Sequence, residues 1–322
     1  MKAIVRARYG GADALSLQEV EQPEPGDGEL LIRVHAASVD AGVVHLMTGE
    51  PYLMRLIYGL RAPKLHVLGM DAAGVVAAVG KGVTAFRPGD EVYAEVRAGS
   101  FAEYTTVPEG LASPKPANLT FEEAAAVPSS ANPALIGLRD VARVRPGQSV
   151  LVNGASGGVG TFAVQIAKWL GADVTGVCSA SKMDLVRSIG ADHVIDYVRS
   201  DFTAGKRRYD AILDLAGNHG VGRMRRALAQ SGVLALSSGK GGRWIGPIGR
   251  IAAGALMNPF TRQRIGSVMA APSGENLATL KKLFESGTIR PVVDRTFPLA
   301  ETAEAIRYFM AGKARGKVAI AV

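Results

Sequence analysis

Val150-Leu-Val-Asn-Gly-Ala-Ser-Gly-Gly-Val-Gly160, followed by Thr161 to Gly171, is the stretch whose reading decides the fold. Gln148-Ser-Val-Leu-Val-Asn153 reads as an apolar strand and the glycine-rich segment as a tight turn. Phe162-Ala-Val-Gln-Ile-Ala-Lys-Trp-Leu-Gly171 reads as a helix that opens directly from that turn. A helix starting this way keeps its first N–H groups free and aims the positive end of its dipole at the turn, which suits a pyrophosphate. Gly157 and Gly158 let the backbone approach phosphates without a Cβ, and Gly160 lets the helix lie close to its strand. Ala155 stands where the G-x-G-x-x-G pattern has its first glycine, so the strand–turn–helix context carries the reading more than the pattern does. Ala155, Ser156, Gly157, Gly158, Val159 and Gly160 are the candidate dinucleotide contacts.

At 322 residues the chain has room for two domains and a substantial core. No run of about 18 apolar residues occurs, so no membrane span is expected. The nearest candidate, Trp244 to Phe260, is broken by Gly246, Pro247, Gly249, Arg250, Gly254 and Pro259. Met1-Lys-Ala-Ile-Val-Arg-Ala-Arg8 alternates like a strand and lacks a signal-peptide core. Cys178 is the only cysteine, which rules out an intrachain disulfide and a thiolate zinc cluster. The simplest location is cytoplasmic. The net charge of +8 is scattered over groups such as Lys206-Arg-Arg208 and Arg223 with Arg225-Arg226. No aromatic residues interleave them as base-stacking surfaces require, so no nucleic-acid partner is expected.

Residues 1 to about 120 read as β-rich, with alternating runs at Lys2–Arg6, Glu29–Ala36, Gly74–Val79 and Glu91–Val96. From about 122 strands and helices alternate: helices at Phe121–Ala126 and Ala134–Val144, then a strand at Val150–Val152 and a helix at Thr161–Leu170. Further strands are expected at Asp173–Cys178, His193–Asp196, Ala211–Leu215 and Gly232–Leu236, with a helix at Lys182–Ile189. The fold class is α/β, with a doubly wound parallel sheet in the second part. Val292–Phe297, helix Leu299–Met310 and Lys317–Val322 look like a return to the first domain.

The chain resembles the medium-chain dehydrogenase/reductase superfamily, most closely its zinc-free quinone oxidoreductase branch with the zeta-crystallin-like enzymes. The resemblance rests on Ala36-Ala-Ser-Val-Asp40, Leu68-Gly-Met-Asp-Ala-Ala-Gly74, Arg87-Pro-Gly-Asp-Glu-Val92, Gly99-Ser-Phe-Ala-Glu-Tyr104, Asn153 to Gly160, Gly190-Ala-Asp-His-Val-Ile-Asp-Tyr197 and Arg315-Gly-Lys-Val318. It implies a GroES-like catalytic domain, residues 1–121 with 293–322, around a Rossmann NADP-binding domain, residues 122–292. Zinc-dependent members carry Cys, His and Cys or Asp as metal ligands, whereas this chain has Asp40, Met70 and Asn132-Pro133 near those positions. No metal is expected. Without one, charge building on a substrate oxygen needs a proton or hydrogen-bond donor. His45 stands where this branch usually has a tyrosine or histidine, Tyr52 offers a phenol, and Asp40 replaces an asparagine common in the family. Val43-Val44 replace the family's acidic and aromatic pair.

Cofactor choice follows from the end of the second parallel strand, where NAD-binding folds usually place an acid. Val174-Thr-Gly-Val-Cys-Ser-Ala-Ser-Lys182 supplies none; Ser179, Ser181 and Lys182 offer donors and a charge for a 2′-phosphate. The resemblance adds Tyr197 to that phosphate site, so NADPH is the expected cofactor. Asp214-Leu-Ala-Gly217 and Leu236-Ser-Ser-Gly239 are expected to line the nicotinamide ribose through Ala216, Gly217, Ser237 and Ser238, with Arg243 in reach. The apolar stretches Pro51–Pro63 and Gly239–Arg264 are candidates for a substrate lid, an oligomer surface or ordinary core. The resulting expectation is an NADPH-dependent reductase, acting as a homodimer, that transfers hydride to a hydrophobic quinone, an enone or a similar activated double bond. An alcohol or aldehyde oxidoreductase on the same cofactor, and a weakly catalytic NADPH-binding sensor or interaction protein, fit the same residues.

Overall fold

A computed structural model describes residues 1–237, 242–244, 246 and 248–322, with Phe260 described by its backbone only. The chain divides into two units, the first formed by residues 1–132 and 271–322 and the second by residues 133–270.

The first unit opens with an antiparallel pair, β1 (Lys2–Arg6) and β2 (Leu15–Glu19). Next come β3 (Glu29–Val39), β4 (Asp71–Val79), β5 (Glu91–Glu95), β6 (Tyr104–Pro108) and β7 (Ala112–Pro114), all members of one sheet. β3 is antiparallel to both β4 and β6 and slips register twice against β4. Gly74 faces the second slip, where a Cβ would stand 2.0 Å from the Arg33 carbonyl oxygen. Helix α1 (Ala41–Thr48) leaves the end of β3, and the four-residue α2 (Arg55–Tyr58) follows it. α3 (Phe121–Ala125) begins at a capping box: Thr120 accepts the Glu123 N–H while Glu123 accepts the Thr120 N–H. α4 (Pro128–Leu135) comes directly after.

The second unit alternates as its apolar strands and glycine turns require. In order it holds β8 (Ser149–Asn153), α5 (Gly158–Trp169), β9 (Asp173–Cys178), α6 (Met183–Ser188), β10 (His193–Asp196), β11 (Tyr209–Asp214), α7 (Val221–Ala227), β12 (Leu228–Leu236), α8 (Ile248–Met257) and β13 (Arg264–Ser267). The sheet order is β10-β9-β8-β11-β12-β13, every pair parallel. Strand order reverses between β8 and β11, and crevices at such a reversal hold ligands in open α/β sheets. Residues Gly160 to Ala167 of α5 are all buried, so this helix is apolar nearly all round.

The chain then adds α9 (Gly274–Glu285), β14 (Val293–Pro298), α10 (Thr302–Met310) and β15 (Lys317–Ala321) to the first unit. β15 pairs antiparallel with β3 and parallel with β14, completing a seven-stranded sheet. Its core joins Val39, Val43, Leu46, Met47 and Leu68 to Phe297, Ile306, Val318 and Ile320.

Three sequence expectations change. The helix expected over Ala134–Val144 starts earlier, at Pro128, and continues over Ile136–Val141 as a π turn. Pro133 lies inside it, where a missing N–H interrupts the regular ladder. β12 begins at Leu228 rather than Gly232. By contacts, residues 122–132 and 271–292 go with the first unit rather than with the parallel-sheet domain expected over 122–292. α3 packs on β3 and β4, and Tyr93 donates to the Leu277 carbonyl of α9 at 2.5 Å.

The start of α5 gives a test. A Cβ on Gly160 would stand 2.1 Å from the Gly154 carbonyl oxygen. Overpacking of this kind costs about 1–3 kcal/mol, so Gly160→Ala should lower the melting temperature by at least about 2 °C. An unchanged melting curve would mean that the turn opens freely.

Candidate functional site

In the second unit the expected cofactor contacts lie along the C-terminal edge of the parallel sheet. Gly154 has φ +95°, and the N–H groups of Gly154 and Ala155 both donate to Val177 in β9, at 3.1 and 3.0 Å. Ala155, Ser156 and Gly160 are buried and form the floor of the turn, while Gly157 is exposed and Gly158 and Val159 half-buried. Gly157 is the N-cap of α5 and has no side chain to cap it. The first-turn amides therefore stand ready for an anion.

Past β9, Ser179 and Ser181 place their hydroxyls 3.4 Å apart, and the Lys182 N–H donates to the Ser179 carbonyl at 3.0 Å. Lys182 is half-buried and sits at the N-cap of α6. Tyr197 is exposed and its N–H donates to the Cys178 carbonyl, which brings it to the same strand end. The acid nearest in register, Asp196, is buried and spent on the Val198 N–H at 3.0 Å.

Beside the turn lies a network that the sequence reading missed. Buried Asp214 accepts from Asn153 Nδ2 at 2.8 Å and from the Gly217 N–H at 3.0 Å through Oδ1, and from Arg250 Nη2 at 2.6 Å through Oδ2. Arg250 also donates to the His219 carbonyl. The available signal was that Val150-Leu-Val-Asn153 and Ala211-Ile-Leu-Asp214 each end an apolar strand on a polar residue, and β8 and β11 pair these two directly. The network fixes Ala216 and Gly217, as Gly217 takes φ +60°. Ser237 donates its N–H to the Asp214 carbonyl and lines a cavity of about 250 Å³ with Leu236, Arg250, Ile251, Ser267, Val268 and Met269. Arg243 is exposed; Ser238 lies outside the described residues.

In the first unit the catalytic candidates lie on α1 and at its two ends. His45 is exposed in its last turn, with Nδ1 2.8 Å from the Glu50 carbonyl oxygen. A carbonyl only accepts, so Nδ1 holds the hydrogen and the neutral ring keeps Nε2 as an acceptor, which becomes a donor on protonation. Tyr52 lies under the Arg55 guanidinium, 4.6 Å from its ring centroid, and Tyr9 faces the same guanidinium at 4.5 Å. Arg55 also donates to the Gly49 and Thr48 carbonyls at 3.0 and 3.2 Å. This arginine, which no motif marked, holds the following segment against the end of α1. Leu53, Leu56, Ile57 and Leu60 remain exposed there. His45 and Tyr52 thus share one end of α1, and Asp40 is at the other.

Asp40 is buried and caps α1, with Oδ1 accepting the Val43 N–H at 2.9 Å. Its other oxygen stands 2.8 Å from Ser129 Oγ, in a buried group with Ser38, Asp71, Glu95 and Lys317. Burial raises the Asp40 carboxyl, the Lys317 charge opposing and Asp71 reinforcing the shift. Burial, with the Asp71 and Asp40 charges adding to it, pushes Glu95 up to about 8.

Residues 26–117 match the family described as alcohol dehydrogenase GroES-like domain, and residues 189–320 the one described as zinc-binding dehydrogenase. The chain is 33% identical to an NADPH-dependent alkenal/one oxidoreductase of Arabidopsis thaliana, over 99% of this chain and 79% of that protein. The chain belongs to the medium-chain dehydrogenase/reductase superfamily. Among solved members of this superfamily, the quinone oxidoreductase from Coxiella burnetii superposes with TM-score 0.88 at 27% identity, covering 100% and 99% of the two chains. An NAD-dependent alcohol dehydrogenase superposes with TM-score 0.85 at 31% identity over all of both chains.

The second family description carries zinc, and the residues here do not fit it. Asp40 is committed to Val43 and Ser129, and Met70 offers only a thioether. Asn132 donates to the Ala271 carbonyl and accepts from Asn276, both at 2.8 Å. The positive charge among the carboxyls is the Lys317 ammonium, 3.2 Å from Asp71.

Glu95 offers a pH test. A carboxyl raised on folding adds stability that is full below its unfolded pKa and is lost as pH rises through its folded one. The melting temperature of the wild type, relative to Glu95→Gln, should therefore fall from about pH 5 to about pH 8 and then level. Parallel curves across that range would show that Glu95 ionises in the ordinary way.

Proposed function

We propose that this chain is an NADPH-dependent, zinc-independent reductase acting on the activated double bond of a hydrophobic enone or quinone. The observation that carries the cofactor assignment is the β9 edge. The free amides at the start of α5 suit a pyrophosphate; Ser179, Ser181, Lys182 and Tyr197 share the neighbouring strand ends, and among the described residues no free carboxylate stands there to select a ribose hydroxyl. The relatives named for alkenal, enone and quinone chemistry support the substrate class.

When bound, the reduced nicotinamide supplies the hydride. The chain's own residues do the rest. Lys182, with the two serines and Tyr197, takes the 2′-phosphate; Asp214 and Arg250 hold Ala216 and Gly217 in place for the ribose. Protonated His45, or the Tyr52 hydroxyl, hydrogen-bonds the substrate oxygen as charge builds on it. The exposed leucines and isoleucine from Leu53 to Leu60 give an apolar cover that excludes water. A cytoplasmic setting accords with the single thiol at Cys178, which burial pushes up to about 11. The similarity to an alcohol dehydrogenase favours one competing reading, oxidation of a simple alcohol. A panel of enones, 2-alkenals, quinones, ketones and alcohols separates the two by which members change NADPH absorbance.

NADPH should bind at least about tenfold more tightly than NADH, a margin of about 1.4 kcal/mol. Lys182→Ala should remove most of that margin and leave NADH binding nearly unchanged; equal affinities in the wild type would overturn the 2′-phosphate assignment. General acid assistance is worth about 10²–10⁴ in rate, so His45→Ala should slow single-turnover reduction at least about a hundredfold without weakening NADPH binding. A rate within a few fold of wild type would move the donor role to Tyr52.

A further inference from the structure

The two oxygens of Asp40 are engaged in different ways. Oδ1 faces the Val43 N–H at 2.9 Å, a contact that needs an acceptor. Oδ2 lies 2.8 Å from Ser129 Oγ, and the same hydroxyl lies 2.6 Å from Asp71 Oδ2. A serine hydroxyl has one hydrogen to donate. Two carboxyl oxygens at hydrogen-bond distance from one hydroxyl need two hydrogens, so one carboxyl must bring its own.

The surroundings decide which. Asp71 Oδ1 accepts the Ser129 N–H at 2.8 Å, and Oδ2 accepts the Ser38 hydroxyl at 2.5 Å and faces the Lys317 ammonium at 3.2 Å. Both Asp71 oxygens thus face donors and act as acceptors, so the extra hydrogen is not carried by Asp71. Among the described residues, the partners of Asp40 are the Val43 amide and the shared hydroxyl. The titratable groups around Asp40 are Asp71 on β4, Glu95 on β5 and Lys317 on β15, so three buried carboxyls share one buried ammonium. Full ionisation would leave excess negative charge in a region shut off from water, which is the costly state.

We propose that Asp40 stands as a neutral carboxylic acid whose Oδ2–H donates to Ser129 Oγ, and that this proton locks the start of α1 and so makes Asp40 a positioning residue for His45. The assignment to His45 rests on the proposed reductase function, whereas the proton and the lock do not. Loss of the proton sets two anionic oxygens against one hydroxyl. The Asp40 side chain then leaves Ser129, and with it the Val43 cap is given up.

Asp40→Asn preserves both contacts, because its amide oxygen accepts from Val43 and its amide nitrogen donates to Ser129, but it cannot titrate. In protein carrying carboxyl-labelled aspartate, infrared spectra at neutral pH should contain an isotope-shifted carbonyl band of a protonated aspartic acid, and Asp40→Asn should lack it. Labelling aspartate alone keeps Glu95 out of the signal. After correction for base catalysis, hydrogen exchange at the Val43 amide should speed up by about tenfold on alkalisation of the wild type, as expected for a lost cap, and stay level in Asp40→Asn. The turnover rate, each protein normalised to its own neutral value, should fall on alkalisation by a larger factor in the wild type than in Asp40→Asn.

No shifted band at neutral pH, or a band that survives in Asp40→Asn, would overturn the neutral acid. Equal Val43 profiles in the two proteins would overturn the lock. Should Asp40→Asn fail to fold, the labelled wild type still decides the protonation state, and Ser129→Ala should expose the Val43 amide already at neutral pH; unchanged protection there overturns the lock. A band and a lock found in a protein with no turnover on any electrophile would support this inference and overturn the reductase reading alone.

Discussion

The ammonium of Lys317 lies 3.2 Å from Asp71 with both side chains buried, and 246 residues of chain separate them. Two charges taken out of water cost more than their attraction returns unless other donors complete the site. Here Asp71 collects Ser38, the Ser129 amide and the Ser129 hydroxyl as well. The pair joins the first residue of β15 to the first residue of β4, on either side of β3. Removing Lys317 would leave Asp71 a buried charge with hydroxyl and amide donors but without its cation. The end of β3, where α1 begins, is therefore held by electrostatics as well as by sheet hydrogen bonds. Placement of His45 at the far end of α1 inherits that rigidity.

The second unit solves a similar problem with different residues. Strand ends in a parallel sheet present backbone groups and loops that have to be ordered before a ligand can be. Asp214 does this from β11, using Asn153 across the strand pair and Arg250 from α8. Because the carboxylate is already paired, it adds little free negative charge to an edge proposed to take phosphates. The amides of α5 stay uncapped beside it. In both units, then, a buried carboxylate with a buried or half-buried cation organises a strand end, and the groups suited to ligand chemistry stand next to it without being consumed by it.

Local patterns made the second unit legible. Apolar strands buried on both faces and a glycine turn opening a helix leave a clear trace. The one irregularity, Ala155 in a glycine position, has a physical reason: Gly154 takes the positive φ that the turn needs, and Gly176 on β9 leaves room for the Ala155 methyl. What stayed hidden depended on residues far apart in sequence. Nothing near Asp71 announces Lys317, and Arg55 gains its meaning only when Tyr9, Tyr52 and the end of α1 converge on it. The short β7 and the proline-bearing start of α4 were missed because local propensity argues against each, and tertiary packing prevails. Asp40 was legible as a notable residue but not as a cap, since its partner Ser129 lies 89 positions away.

That same group of residues bears on how the superfamily can exchange one chemistry for another. A metal-dependent member balances its ligands with a dication, and the ligands must be free to turn their lone pairs toward it. In this chain the comparable oxygens are occupied. Asp40 is divided between an amide and a hydroxyl, Asp71 is saturated by four donors, and Glu95 keeps its proton up to about pH 8. One ammonium and retained protons then do the charge balancing that a metal would do elsewhere. Such a balance ties the state of the interior to pH. On the zinc-independent reading proposed above, no Lewis acid polarises the substrate oxygen, and that role falls to a proton or hydrogen-bond donor. In the first unit, the titratable donors placed at the exposed end of α1 are His45 and Tyr52. On the same proposed reading, the demand on those two side chains depends on how the buried carboxyls at the other end are neutralised.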